Sequence, residues 1–504
     1  MIDRPKDIDE GTADFKTTVD PEKLPDANHL QRWLRKKGQF NKGFMPTGSP
    51  AQAKYTKLLA NDLREIGVEE VKRNGITIDR WKPLTYSLVL NSDGNEGPIP
   101  VMGYVPYSGS TSEKGIEAPV SYLSGTSFNT AGYDPKGVPG GLGGELEDRF
   151  LLEGEPFHES IKKKDVEGSI VVAELPILNK YPLNKIQDDF HLLHGDAPEC
   201  WGGDHFACVA GLKILQEVQK AGAVGFVGIL PYGPDMAEKH YMPYGTPSLW
   251  GLPGLYIDPF TGNQIKKETS KKTTNVSARL RLQASVEKSE AHNIHGVIPG
   301  ATDREIILSS HTDGLNTLED NGPIAILALA KYFLSIPREQ RPVTLRLVLS
   351  NGHFYNNIGK NHFIKHNWSD IADSVIAAIE VEHLGALERT ERTNGTYCLT
   401  GKPEFQLVST SDAQPLVRAS KKYGQQFDRI AVSPLETCNT GSGEPWIDVT
   451  DVVQLISVPT YLLNYELPDE VVTDNFHDIN LFRRQLQGIV EMVLDIGNDE
   501  ASDG

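Results

Sequence analysis

The sequence predicts an α/β protein with a mixed, mostly parallel β-sheet flanked by helices and a smaller inserted domain. Buried-strand runs alternate with helical segments between residues 292 and 388. A shorter strand–helix–strand pattern occupies residues 166–258, and the chain closes on the amphipathic segment INLFRRQLQGIVEMVLDIG. Such alternation is typical of a sheet whose faces are covered by helices.

The 504 residues are long enough for one large α/β domain carrying an insertion. Residues 1–30 are polar and without periodicity, which predicts a loose N-terminal arm. Residues 31–100 and 276–504 are predicted to form the main domain, and residues 101–275 the inserted one. Within the insertion, residues 108–165 are rich in Gly, Ser, Thr and Pro. A long irregular segment of this kind is usually functional or marks an inserted module.

The individual elements follow from the spacing of apolar residues. Helical spacing predicts helices at 50–67 and 202–222, in LEDNGPIAILALAKYFLSIP and in the C-terminal segment. Short apolar or alternating runs predict strands. The predicted strands are 76–81, 85–90, 100–107, 170–172, 223–231, 251–258, 273–288, HNIHGVIPG, REIILSSHTDG, TLRLVLS, 374–388 and 458–464.

Charge and cysteine content exclude several classes of partner. Asp and Glu number 68 against 50 Lys and Arg, a formal net charge of −18. Phosphate neutralisation needs basic residues, so we expect neither a nucleic acid nor a membrane as partner. The four cysteines form no CxxC pair, which predicts reduced thiols in a cytoplasmic protein. No signal peptide is visible, although secretion remains the alternative for a chain that has lost its leader.

Residues that could perform chemistry follow the predicted strands, where α/β sheets form their sites. His311 follows a strand centred on residues 306–308, and Asp313 could orient its imidazole. Asp320 stands at the start of the next helix. There it could bind a metal ion or cap the helix, and the sequence leaves both readings open.

A second group follows the predicted strand at 374–388. Glu380 and Glu382 would point the same way on a strand, and buried carboxylates need a metal ion or a cationic partner. His383 alone is more typical of a satisfied core or loop histidine. His477, at a loop-to-helix junction, completes a His and carboxylate set suited to Zn²⁺ or another divalent ion.

Residues 292–334 resemble the co-catalytic zinc aminopeptidase and glutamate carboxypeptidase family. The resemblance is carried by His311-x-Asp313 and by Asp320-Asn321-Gly322 opening an apolar helix. GSIVVAELPI, AGAVGFVGILP and GLPGLYIDPFTGNQI resemble the protease-associated (PA) domain that several members carry inserted, which implies a PA-like domain at 101–275. The resemblance implies a zinc-aminopeptidase-like fold. It also implies that the metal ligands are His311, Asp320, Glu382 and His477, with Asp313 orienting His311.

One departure from the family changes the expected chemistry. After TLRLVLS the family has Gly-Glu-Glu, whereas this chain has Gly352-His353-Phe354. Phenylalanine cannot bind a metal, so we expect a single ion, Zn²⁺ or another divalent metal, with an open coordination position. His353 would act as general base, or it could be a non-catalytic residue in a site that has lost its activity. The expected ligands of the ion are His311, Asp320 and Glu382, with His477 as a further ligand.

The expected function is metal-dependent hydrolysis of an amide-type bond in a small molecule or peptide. A non-hydrolytic metalloenzyme, such as a lyase or cyclase, and a metal-free binding or scaffold protein remain alternatives. Aromatic residues in the loops at 190–206 and 239–251 suggest an apolar substrate wall, or ordinary packing. The candidate substrate contacts are His205, His240, Tyr241, Tyr244 and Trp250. A homo-oligomer is compatible with the sequence.

Overall fold

A computed structural model describes most of the chain. The described residues are 19–123, 166–175, 183–199, 201, 207–241, 251–271, 275–439, 441–459, 461–465 and 477–502. Three candidate substrate contacts, His205, Tyr244 and Trp250, lie outside them. Cys398 and Cys438 are free thiols, as expected for these two. No helix in the described ranges combines the length and apolar character needed to cross a bilayer.

The described elements alternate between strand and helix along most of the chain. The strands are β1 Glu69–Ser92, β2 Asn95–Ile99, β3 Gly103–Tyr104, β4 Ile116–Leu123, β5 Ile170–Glu174, β6 Leu192–His194, β7 Gly225–Ile229, β8 Gly254–Ile257, β9 Val276–Ile298, β10 Glu305–His311, β11 Thr344–Ser350, β12 Val375–Val381, β13 Leu387–Glu391, β14 Tyr397–Pro403, β15 Gln406–Thr410, β16 Ile430–Pro434 and β17 Val452–Ser457. The α-helices are α1 Ala27–Gly38, α2 Pro50–Ile66, α3 Leu183–Ile186, α4 Ala207–Lys220, α5 Pro234–Ala237, α6 Pro259–Thr269, α7 Gly322–Leu334, α8 Ile358–Ile371, α9 Gln414–Gly424, α10 Glu444–Ile447 and α11 Ile479–Ser502.

The sheet is mixed, and its centre is parallel. Its strand order is β3-β8-β7-β5-β4-β9-β11-β10-β12-β17-β15-β16-β6, with β1 and β2 added beside β9. Strands β11, β10, β12 and β17 run parallel, and β9 and β15 flank them antiparallel. The predicted α/β class with a mixed, mostly parallel sheet is therefore confirmed. Because β10, β11 and β12 run the same way, their carboxyl ends meet at one edge, where sites of such sheets form.

Helices cover both faces of this central sheet. Ile306 and Leu308 of β10 face a core shared with α1, α2, α7, α9 and α11. Ile307, between them, faces the opposite core, which contains Phe363 of α8 and Trp446 of α10. This alternation follows from the two-residue period of a strand. Helix α7 is almost entirely apolar because it is buried between the sheet and the outer helices.

The antiparallel pair β1 and β9 is longer than the sequence predicts. The separate strands predicted at 76–81 and 85–90 are one strand, β1, and those predicted at 273–288 and HNIHGVIPG are one strand, β9. Pro83 separates the two strands predicted at 76–81 and 85–90, but it lies at a register irregularity past which β1 and β9 both continue. A bulge tolerates a residue without an N–H, so the ladder persists.

The prediction of a loose N-terminal arm is wrong for residues 19–30, and residues 1–18 lie outside the described part. Helix α1 begins at Ala27 because the Asp26 side chain accepts a hydrogen bond from His29 N, at 2.7 Å. Leu24 and Leu30 are buried in the core beneath α11. The residues before position 27 have too little periodicity to reveal this docking. As a result Lys37, in the last turn of α1, is buried.

The predicted strand at 458–464 is also wrong. The strand is β17, which ends at Ser457, and residues 461–463 form a turn. Tyr461 and Leu462 are apolar because they pack against Leu318 and Ala386. The apolar run at 458–464 resembles a strand because it contains a buried turn.

Residues 101–275 contain strands β3 to β8, as the second alternating pattern suggested. Strands β4, β5, β7 and β8 are mutually parallel, and β4 joins them to β9 of the central sheet. The division into domains and the PA-like character of this segment stay predictions.

Gly322 offers a direct test of how α7 is seated. A Cβ at this position would meet Ser310 Oγ and the backbone oxygen of Val381, which cannot move aside. We expect Gly322→Ala to lower the free energy of unfolding by about 1–3 kcal/mol, measured by urea denaturation. Gly97→Ala is the control, because a Cβ there meets no atom within 4 Å and should change stability by about 0.5 kcal/mol or less. Equal midpoints for the two variants would contradict this packing.

Candidate metal centre

The predicted site residues converge at the carboxyl edge of the central strands. In the register of the sheet, His311 of β10 lies beside Ser350 of β11, and Ser309 lies beside Glu380 of β12. The loops that leave these strands therefore meet. They carry His311 and Asp313, Glu319 and Asp320 before α7, His353 after β11, Glu382 and His383 after β12, and His477 before α11.

Three buried side chains in this cluster form a candidate ligand set. Ligand atoms of His311, Glu319 and His383 all lie within 4.8 Å of one another. His311 Nε2 is 3.7 Å from Glu319 Oε1. Two imidazoles and one carboxylate with an open position make up a common catalytic zinc set.

The hydrogen bonds of the two imidazoles leave one nitrogen of each ring available to a metal ion. His311 Nδ1 lies 2.7 Å from the Asp313 carbonyl oxygen, and His383 Nδ1 lies 2.6 Å from the Ser457 carbonyl oxygen. A carbonyl can only accept, so each Nδ1 carries the proton and donates it. Each Nε2 is then the nitrogen left for a metal ion, and neither Nε2 has a hydrogen-bond partner among the described residues. A backbone acceptor behind the ring is the usual support of a metal-binding histidine.

The backbone of His383 is held in an uncommon conformation. Its φ is +53°, in the left-handed region that residues other than glycine rarely adopt. The Asn321 side chain holds the backbone of Leu384, the residue after His383, by two hydrogen bonds. It donates to the Leu384 carbonyl at 2.7 Å and accepts from Leu384 N at 3.0 Å. Gly385, also at positive φ, completes the turn. Such strain clusters at functional sites, because it sets the direction of a side chain.

Asp313 is fixed between two loops. Its carboxylate accepts hydrogen bonds from Thr47 Oγ1 at 2.6 Å and His353 N at 3.2 Å. Its Oδ1 is 3.8 Å from His311 Nδ1, whereas its backbone carbonyl is 2.7 Å away. Asp313 therefore supports His311 through the carbonyl rather than through the carboxylate.

Of the two roles that the sequence leaves open for Asp320, the structure excludes the helix cap, and metal binding stays a prediction. Helix α7 begins at Gly322, and its N-terminus has no side-chain cap. Asp320 lies outside the ligand set and forms an ion pair with Lys37, from the last turn of α1. Both side chains are fully buried. Burial lowers the pKa of Lys37 well below its usual value, and the Glu319 carboxylate opposes this shift.

The two glutamates of β12 and its loop differ in their partners. Glu380 pairs with the buried Lys360, with Oε1 at 2.7 Å from Nζ, as the ion-pair reading of this segment described. Glu382 Oε1 instead accepts from Ser442 N at 2.6 Å, and its Oε2 lies 3.9 Å from His383 Nε2. Glu382 thus borders the ligand set without belonging to it.

His477 is buried beside Lys37. Burial, together with the Lys37 charge, lowers its pKa to about 3. In the described part of the chain neither ring nitrogen makes a hydrogen bond, although the Thr317 carbonyl lies near enough to oppose the shift. The backbone of His477 pairs with Ala386, which fixes it at this edge of the sheet.

The His353 ring lies tilted against the ring of His311, beside the ligand set. Its ring centroid is 4.7 Å from that of His311, and its Nδ1 lies 3.1 Å from Asn357 Oδ1. Burial lowers the pKa of His353 to about 4, so the ring is neutral near pH 7. Phe354 packs edge-on to His311 and belongs to the hydrophobic core.

Negative charge accumulates around the imidazoles. Burial alone would lower the pKa of His311, but the carboxylates of Glu319, Asp313 and Glu382 outweigh it and raise that pKa to about 9. Burial raises the pKa of Glu319 to about 8. Several buried carboxylates in one place are costly without a cation among them. The donor set and its charge therefore fit a divalent ion.

Two candidate substrate contacts, His240 and Tyr241, are among the described residues. Tyr241 lies near the ligand set, whereas the His240 ring faces Tyr232. Tyr241 packs in an aromatic group with Phe44, Tyr104 and Tyr465. Burial raises the pKa of Tyr241, and the Asp313 charge adds to the shift, which places the ring near the site. His240 Nε2 instead faces Tyr232 OH at 3.4 Å.

Glu319 and His383 are not among the ligands that the sequence predicts. The predicted strand at 374–388 includes residue 383, but β12 ends at Val381, so side-chain alternation does not extend to it. Glu319 was hidden beside Asp320, which fits the family pattern. The sequence signal that could have revealed both is their position after the parallel strands. Glu319 lies in the loop that follows β10 and His311, and His383 lies directly after β12.

Sequence comparisons return no match, neither to a family model nor to a curated protein. Solved structures do match. An M28 peptidase precursor from Shewanella amazonensis SB2B gives a TM-score of 0.62 at 13% identity, covering 94% of this chain and 97% of that one. An aminopeptidase from Aneurinibacillus sp. strain AM-1 gives 0.58 at 12% identity, covering 94% of each chain. A zinc aminopeptidase from Bacillus subtilis gives 0.56 at 16% identity, covering 95% and 96%. This chain therefore has the zinc-aminopeptidase-like α/β fold that its motifs suggested.

Proposed function

We propose that this protein is a metal-dependent hydrolase of the peptidase type, acting on an amide bond of a small molecule or peptide. The observation that carries the proposal is the convergence of His311, Glu319 and His383, whose ligand atoms all lie within 4.8 Å of one another. The shared fold with M28 peptidases and zinc aminopeptidases supports it.

These three residues would hold one zinc ion or another divalent metal. When bound, such an ion polarises a carbonyl oxygen and makes water more acidic. The protein supplies rigidity: the Asp313 and Ser457 carbonyls fix the two rings, and Leu315 N donates to Glu319 Oε2 at 3.0 Å. Glu382 adds a neighbouring negative charge that favours a cation.

His353 is the proposed general base. With Nδ1–H donating to Asn357 Oδ1, the lone pair lies on Nε2, and the lowered pKa keeps the ring neutral near pH 7, which is the form that accepts a proton. The ring lies tilted against that of His311, so it is next to the ligand set. A non-hydrolytic reaction would use the same residues, since a base beside a Lewis acid also performs elimination and cyclisation.

The cytoplasmic location, the oligomeric state and the identity of the substrate stay predictions. For the substrate, the aromatic group around Tyr241 supplies apolar side chains that interact with the site through Asp313.

The metal content of purified protein tests the ligand set. We expect about one zinc ion per chain, and we expect His383→Ala to weaken zinc binding at least about tenfold, because one of three protein ligands is lost. The measurement is a competition titration with a zinc-sensitive dye, with content checked by elemental analysis. His366→Ala is the control, since His366 is exposed on α8 and should leave the affinity unchanged. Metal-free wild-type protein that binds no added zinc would favour the scaffold alternative.

The role of His353 is tested with leucine p-nitroanilide and short peptides as probe substrates. We expect His353→Ala to lower kcat/KM about 10²- to 10⁴-fold with an unchanged zinc content, because only proton transfer is removed. Phe354→Leu, which alters the neighbouring ring, is the control and should retain most of the activity. A His353→Ala variant with wild-type rates would show that His353 is not catalytic. Mass spectrometry of the products separates hydrolysis, which adds the mass of water, from elimination or cyclisation.

A further inference from the structure

We infer that Lys37 is an internal cation of the metal centre: its amine fills the place beside Asp320 and His477 where a second metal ion would bind, and so limits the centre to one ion. The inference rests on the proposed function, because it concerns the same cluster of residues.

The position of Lys37 is unusual for a lysine. It lies in the last turn of α1, yet its side chain is fully buried, whereas lysines almost always keep the amine in water. Its Nζ donates to the Asn316 carbonyl at 2.8 Å and pairs with the Asp320 carboxylate. The Asn316 side chain in turn donates to the carbonyls of Leu462 and Asn464, at 2.8 and 3.0 Å, which fixes the loop that receives the amine.

The groups around the amine are ligand types for a divalent metal. In the part of the chain that the structure describes, Asp320 Oδ2 and both ring nitrogens of His477 have no hydrogen-bond partner. The amine pairs with Asp320, its charge acts on His477, and the carboxylate of Glu319 acts on it in turn. A carboxylate and an imidazole that both interact with one cation, next to a Glu319 that lies 3.7 Å from His311 Nε2, would otherwise form a second metal subsite.

Lys37 also explains why Asp320 does not join the ligand set. The amine engages Oδ1 of Asp320, whereas the neighbouring Glu319 is turned toward His311 Nε2. The two adjacent carboxylates thus have different partners: Asp320 pairs with Lys37, and Glu319 remains available to the metal ion. Its neighbour Lys36 has no such role: it is 43% exposed and pairs with Asp62 at 3.3 Å on the surface.

The test is zinc stoichiometry at saturation, measured on the metal-free full-length protein by equilibrium dialysis and elemental analysis. We expect about one ion for wild type and for Lys36→Met, and about two for Lys37→Met, because the vacated subsite gains its donors. The double variant Lys37→Met/Asp320→Asn should return to about one, since the subsite then lacks its carboxylate. Two ions in wild-type protein, or one ion in folded Lys37→Met, would overturn the inference.

A second measurement covers the case in which Lys37→Met does not fold. If Asp320 serves Lys37 rather than the ion, Asp320→Asn should change the zinc affinity of the single site less than about threefold, whereas loss of a true ligand costs about tenfold or more. A tenfold loss would therefore contradict the inference. Absence of any zinc in wild-type protein would instead contradict the proposed function, so the two failures are distinguishable.

Discussion

The parallel alignment of β10, β11 and β12 is the constraint on which the site depends. Because these strands share a register and a direction, the loops that leave them emerge side by side. Asn321 then ties the start of α7 to the turn after β12 by two hydrogen bonds with Leu384. The strands bring the loops together, and this contact sets the angle at which His383 enters. Neither effect alone would place an imidazole opposite His311.

Buried charge is the second organising feature of this edge of the sheet. Four carboxylates, those of Asp313, Glu319, Asp320 and Glu382, are almost entirely excluded from solvent. Each is stabilised in a different way: Asp313 by Thr47 and by backbone amides, Asp320 by Lys37, and Glu382 by Ser442. Glu319 has one backbone donor and an imidazole, which leaves it the member of the set best able to bind a cation. The chemistry of the centre follows from this division of partners.

Much of this architecture could be predicted from sequence, because it rests on periodicity. The central strands and helices α2, α7 and α11 have apolar spacings that identify them, and His311 is recognisable from its position after a buried strand. What depends on contacts between distant segments could not be predicted. The pairing of Asp320 with Lys37 joins residues 283 positions apart, and no local pattern announces it. The conformation of His383 depends on Asn321 in another loop, and the ladder of β1 and β9 continues past Pro83, which separates the strands predicted at 76–81 and 85–90.

The docking of α1 has a consequence for biosynthesis. Lys37 leaves the ribosome long before Asp320, its partner in the ion pair, and longer still before its neighbour His477. Arg483 of α11 donates to the carbonyls of Pro21 and Pro25, joining the two ends of the described polypeptide. Domains generally fold as units during synthesis. This one can close its interior only after α11 has been translated, and until then the amine of Lys37 and the carboxylates that it will meet stay in water.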